Sequence, residues 1–222
     1  MERTITIKGV GKMKVDPDLV VLNIMVDAKE KKYADAVENA TQKKEKLYNA
    51  LVSVGIEKDT IKTTNYNVRT NYIYINDKKN QSKRQFDGYT CEHKLKFSFD
   101  YNMKTLANVL ESISNCFAEP QFDILFTVKD KDAVNEELLS IAAKNAKKKA
   151  EILCEASGAK LGKLVTINYN WSDINIFSRP PLRFDDTAEL SIPKHKAAAS
   201  INILPDSIDV SDSATFVWEI QQ

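Results

Sequence analysis

Two histidines and three cysteines bound the nucleophilic chemistry open to this chain. Cys91 and His93 stand two positions apart in an alternating stretch, so in a strand both side chains leave the same face. A neighbouring imidazolium lowers a thiol's pKa and would yield a thiolate nucleophile. A working triad needs a third group to orient the base. None is identifiable, so two core residues packed side by side is the expectation. His195 is isolated in an irregular stretch. Cys91, Cys116 and Cys154 show no C-x-x-C spacing, which argues against a zinc site or a redox pair. All three sit in apolar patterns, where a free cysteine behaves as a small hydrophobe. Buried thiols and a reducing compartment are expected.

Other patterns that could bind a ligand are equally incomplete. Gly9-x-Gly11 follows a strand as a phosphate turn would. However, no third glycine follows, and Asp16-Pro17 leads into another strand and not a helix N-terminus. Asp185, Asp186 and Glu189 offer oxygens to a hard cation, but a solvated loop is the better reading. No Walker, H-E-x-x-H, EF-hand or G-x-S-x-G pattern occurs. Neither a cofactor nor a metal is expected. Tyr66, Tyr72 and Tyr74, close to Lys78, Lys79, Lys83 and Arg84, have the composition of a base-stacking platform. Against that, 32 Lys+Arg and 31 Asp+Glu leave a net charge of +1, too small to attract nucleic acid at range. Tyrosine is also simply favoured in strands. A protein contact, with no nucleic-acid partner, is the reading taken.

The elements that must position these residues follow from periodicity. Residues 3–10 alternate with β-branched side chains and are expected to end at Gly9-Val10-Gly11. Leu19–Ala28 is apolar on both faces, as a central strand is. Over residues 33–54, Tyr33, Val37, Ala40, Lys44, Leu47, Leu51 and Val54 form one helical stripe, with Gly55 in the C′ position. A long strand over Ile61–Ile75 and its partner over Tyr89–Phe99 enclose the polar loop Asn76–Gln85, giving a projecting hairpin. In that partner Cys91, His93, Leu95, Phe97 and Phe99 point inward. Next come a short helix over Tyr101–Asn115 and a strand over Gln121–Lys129. A long helix over Asp132–Ser157 follows, its stripe read as Val134, Leu138, Ile141, Ala142, Asn145, Lys149, Ile152, Leu153 and Ala156. Strands over Lys163–Trp171 and Ala214–Ile220 flank an irregular arm, residues 172–207, in which Ile174, Ile176, Phe177, Leu182 and Phe184, around Arg179, are expected to be exposed. Structureless loops beyond about 15 residues are usually functional or disordered; this one reads as a β-rich arm packing on a neighbouring subunit or as a hairpin lid over the protein's own sheet.

The order strand, helix, strand, strand recurs, suggesting a pseudo-repeat over 19–100 and 121–221 within one domain spanning 1–222. Asn65-Tyr66-Asn67 returns as Asn168-Tyr169-Asn170, each ten residues after the glycine that ends a long helix. The fold class expected is α+β: largely antiparallel sheet or sheets with two long helices packed on one face, and a duplicated β-α-β-β unit.

Three segments in this order resemble the SIMPL-domain family: Ile5–Asp18 (ITIKGVGKMKVDPD), Ala143–Ile167, and Ile203–Ile220 (ILPDSIDVSDSATFVWEI). The resemblance implies a mixed α/β protein of a family often exported to the periplasm. It also implies a family in which some members form large rings, with proposed links to oxidative or envelope stress. No catalytic residues are defined for the family, so none is carried over. Met1-Glu2-Arg3 is followed by an alternating strand and not by an apolar leader, and no run approaches the roughly 18 apolar residues of a membrane span. A cytoplasmic location is therefore expected, or a periplasmic or extracellular one if a leader has been removed. The function expected is non-enzymatic self-assembly through Tyr72, Tyr74, Phe177, Arg179 and Phe184. A monomeric peptide-binding module is the alternative, and a thiol enzyme using Cys91 and His93 a more distant one.

Overall fold

The fold was obtained as a computed structural model, which describes residues 3–76, 82–170, 174–179 and 203–221. Phe184, His195 and the acidic trio Asp185, Asp186 and Glu189 lie outside the described residues, as does most of the 172–207 arm. The chain divides into two compact units. One, the hairpin unit, comprises 19–126 and 179–205; the other, the terminal unit, comprises 1–18, 127–178 and 206–222.

The hairpin unit is built on β2 (Leu19–Glu30), whose burial on both faces suits a central strand. It pairs antiparallel with β4 (Ser82–Asp100), which pairs in turn with β3 (Lys62–Asn76). The strand order runs β3-β4-β2-β5, with β5 at Gln121–Thr127. Helix α1 (Tyr33–Ser53) lays Ala36, Ala40, Leu47 and Leu51 on this sheet. Tyr33, read as part of that stripe, is instead exposed and meets Tyr89 edge-on at 5.6 Å. Helix α2 (Met103–Asn115) starts where the Asn102 side chain accepts from the backbone N–H groups of Lys104 and Thr105. Val20, Leu22, Ile24, Val26, Phe97 and Phe126 anchor a core fed by both helices. Each such fully buried side chain contributes roughly 1.5–3 kcal/mol.

The terminal unit is a sheet in the order β1-β8-β6, with β1 at Thr4–Val15, β6 at Lys160–Asn168 and β8 at Ile208–Gln221. A two-residue strand, β7 (Phe177–Ser178), precedes β8. Helix α3 (Lys131–Ala156) covers β1 and β8. Here the structure corrects the reading of Gly9 and Gly11. They do not end β1, which runs straight through them. A Cβ at Gly9 would overlap the Ala142 carbonyl oxygen, and one at Gly11 that of Leu138. The two glycines form the seat on which the helix backbone rests. Close approach explains the second correction. The buried stripe is Val134, Leu138, Ala142, Ala146, Ala150 and Cys154, dominated by small residues, while Ile152 and Leu153 are exposed. Asn145 and Lys149, also read as core, do something else. Asn145 Oδ1 accepts the Val10 N–H at 3.2 Å, and Lys149 Nζ donates to the Lys8 carbonyl at 3.4 Å. Both therefore occupy backbone groups of an edge strand, which would otherwise template further pairing.

Gly55 and Gly158 end the two long helices at φ 92° and 72°, the left-handed C′ conformation expected of them. The fold is thus α+β, with antiparallel pairing and one long helix on each of two sheets. The two sheets share a strand order: β3-β4-β2 with α1 between β2 and β3, and β6-β8-β1 with α3 before β6. In the terminal unit the slot equivalent to β2 is filled by β1, from the start of the chain, and not by β5. From the irregular arm, Ile176 proves buried beside Val128, Val134, Leu138, Ile208 and Val210, contrary to its reading as exposed.

Candidate functional site

Cys91 and His93 do share the helix-facing side of β4, with Cys91 fully buried and His93 nearly so. The register sets Tyr66 of β3 opposite His93, its ring 4.5 Å from the imidazole in an edge-on arrangement. The neighbouring Cys91 thiol, with a smaller effect of burial, pushes the Tyr66 phenol's pKa up. Burial first, and the Lys44 ammonium second, hold the His93 pKa below its ordinary value. An imidazole biased toward neutrality gives an adjacent thiol no cationic partner, so Cys91 and His93 have the character of core contacts, with the exposed Tyr66 beside them. The one loose end is Nε2 of His93, which is buried without a hydrogen bond. Cys116 and Cys154 are likewise buried and unbridged. Among the described residues no group of three or more His, Cys, Asp or Glu side chains is placed to hold a metal. A cleft of about 450 Å³ lies on the same unit, lined by Lys44, Tyr48, Asn49, Lys58, Thr63 and Leu95 among others.

The distal hairpin presents a different kind of surface. Pairing of β2 with β4 stops at Glu30–Tyr89, whereas β3 and β4 continue as a two-stranded ribbon to Asn76–Ser82. Asp87 fastens the base of the ribbon by ion pairs to Lys29 and to Lys31, the latter at 3.0 Å. Those hydrogen bonds hold its carboxyl below the usual carboxylate range. Beyond that clamp, the pairs Tyr72–Phe86 and Tyr74–Arg84 alternate with Ile73–Gln85 and Ile75–Lys83. Paired residues share a face and successive pairs alternate, so both faces of the ribbon carry apolar side chains. All five of Tyr72, Ile73, Tyr74, Ile75 and Phe86 are exposed, Tyr74 by 72%. The Arg84 guanidinium stacks 3.6 Å from the Tyr72 ring centroid, and edge-on contacts link Tyr72 to Phe86 and Phe86 to Tyr89. These contacts stiffen the ribbon without burying it.

Of the residues expected to make protein contacts, Tyr72 and Tyr74 thus fall together on one ribbon face. Phe177 is partly exposed in the terminal unit, and Arg179 lies 3.9 Å from Asp123 in the hairpin unit. Reading the sequence missed Ile73, Ile75 and Phe86. Their signal was present: apolar residues on both parities of a strand mean either two buried faces or two exposed ones. It also missed Phe117, held at φ 53° with 86% of its surface exposed.

The described residues thus form two antiparallel α+β units, one of them extended into a ribbon with exposed apolar side chains. The chain belongs to the SIMPL family, described as proteins of unknown function (DUF541), whose profile matches residues 5–218. It is also similar to the 26 kDa periplasmic immunogenic proteins of Brucella melitensis and Brucella abortus. In each case identity is 28% over 181 residues, covering 80% of this chain and 68% of the relative. No helix among the described residues is long and apolar enough to cross a membrane.

Proposed function

We propose that this protein is a non-enzymatic, self-assembling protein of the cell envelope, and that its distal hairpin is a contact surface between copies. The observation that carries the reading is the ribbon with apolar side chains exposed on both faces, including Tyr72, Tyr74, Ile73 and Ile75. Large exposed apolar surface on a water-soluble chain marks an interaction site, and Tyr anchors flanked by Arg are what interface centres favour. Phe177, Arg179 and Phe184 are proposed as a second contact. The periplasm is preferred over the cytoplasm because both similar Brucella proteins carry that location in their names. The three thiols do not oppose this choice, since all are buried and unbridged.

Replacing Tyr72 and Tyr74 together by serine tests the contact. Light scattering coupled to size exclusion should show the mass falling relative to wild type at equal concentration. An unchanged mass would remove the hairpin from the assembly. A monomeric wild type would instead assign the ribbon to a different protein partner.

A further inference from the structure

The two edges of the terminal unit's sheet are treated differently. Edge β1 has its Val10 N–H and Lys8 carbonyl occupied by Asn145 and Lys149. Edge β6 has no such cover: among the described residues no side chain bonds to its backbone. Its side chains are also unusually apolar for an edge, with Leu164, Val165 and Ile167 about half exposed. Natural edge strands avoid this combination because it invites pairing.

The register adds a direction. Leu161, Leu164 and Ile167 pair with Ile220, Trp218 and Phe216 of β8. Trp218 and Phe216 face α3 in the core of this unit, so these three residues face the same way. The two register shifts in β6 bring them to one face despite their spacing of three. An apolar strip therefore leaves the core beside Trp218 and runs out to the edge, where nothing among the unit's described residues continues it.

We propose that β6 is a self-association edge, at which β6 of a second copy adds antiparallel about a two-fold axis at Leu164. The inference rests on the self-assembly reading above and gives it a third contact. The nine-residue strand Lys160–Asn168 has Leu164 at its centre. Folded onto itself about that residue, it sets Lys160 against Asn168, Leu161 against Ile167, Gly162 against Thr166, and Lys163 against Val165. No lysine faces a lysine, and the apolar residues meet on the helix side, carrying the core strip across the join. A contact of this kind is isologous. Because Asn145 and Lys149 occupy β1, strand addition on this sheet ends with the pair.

A two-fold axis at Leu164 makes an unusual demand: the residue meets its own copy. Leu164→Lys alone and Leu164→Glu alone should each lower the solution mass at least two-fold relative to wild type. Mixing the two variants should restore it, because Lys then faces Glu, and a misfolded chain would not be rescued this way. If both single variants keep the wild-type mass, or if mixing fails to restore it, the proposal is overturned. Should the Leu164 variants stay assembled while the Tyr72/Tyr74 variant dissociates, this inference falls and the self-assembly reading stands. A wild-type mass of 25.1 kDa would sink both.

Discussion

At the scale of residues, His93 has the clearest physical signature. It is packed under α1 with Nε2 unpartnered, and Lys44 adds a like charge against its protonated form. Besides these, Cys91 and Tyr66 adjoin it, and neither offers a carboxylate. Its folded pKa therefore lies below the 6.5 of an ordinary histidine. Above that value both folded and unfolded chains hold it neutral, and it contributes no slope. As pH falls below 6.5 the unfolded chain takes up a proton that the folded chain resists, so stability is lost until the folded pKa is passed. The loss is at most about 1.4 kcal/mol per pH unit for one proton. Urea titrations between pH 7 and 5 should show this decline in wild type and a shallower one in His93→Gln; equal slopes would mean that His93 is not the group responsible. The Cys91–His93 side-by-side packing was legible from their spacing of two. Tyr66 was not, because a cross-strand neighbour depends on the β3–β4 register, which no local pattern states.

At the scale of elements, the seating of α3 on β1 is the least forgiving contact. The Ala142 and Leu138 carbonyls occupy the space where a Cβ on Gly9 or Gly11 would lie, and backbone cannot rotate away as a side chain can. Gly9→Ala and Gly11→Ala should each cost on the order of 1–3 kcal/mol, the usual penalty for overpacking. Chemical denaturation measures it directly, and a loss under about 0.5 kcal/mol, the range of ordinary surface substitutions, would contradict the seat. A strand with clean alternation, such as the Cys91–Phe99 part of β4, was readable because one parity meets a helix and the other does not. The α3 stripe was misread for a physical reason. Where glycine lets a helix come close, alanine fills the interface, so hydrophobicity ceases to mark the buried side. Asn145 and Lys149 then entered the stripe by spacing alone, although their polar ends serve the β1 edge. Strand β1 was cut short for a related reason: Gly9 and Gly11 were read as turn signals when their role was to admit a helix.

At the scale of the whole molecule, the shared strand order of the two units agrees with the recurrence of Asn-Tyr-Asn at 65–67 and 168–170, on β3 and at the end of β6. We read the chain as a duplicated β-α-β-β plan in which β1 supplies the first strand of the later copy. The periodicity and order of the elements indicated an α+β chain, and three ordered segments resembled its family. Self-assembly through Tyr72 and Tyr74 was an expectation of the sequence, but the apolar exposure on both faces of the β3–β4 ribbon and the edge position of β6 appear only once the strands are paired. The proposed function depends on those surfaces meeting other copies. Its most direct test is the solution mass of the wild-type chain by light scattering after size exclusion, across a range of concentrations. A discrete multiple of 25.1 kDa is the result predicted, and a concentration-independent monomer of 25.1 kDa would contradict it.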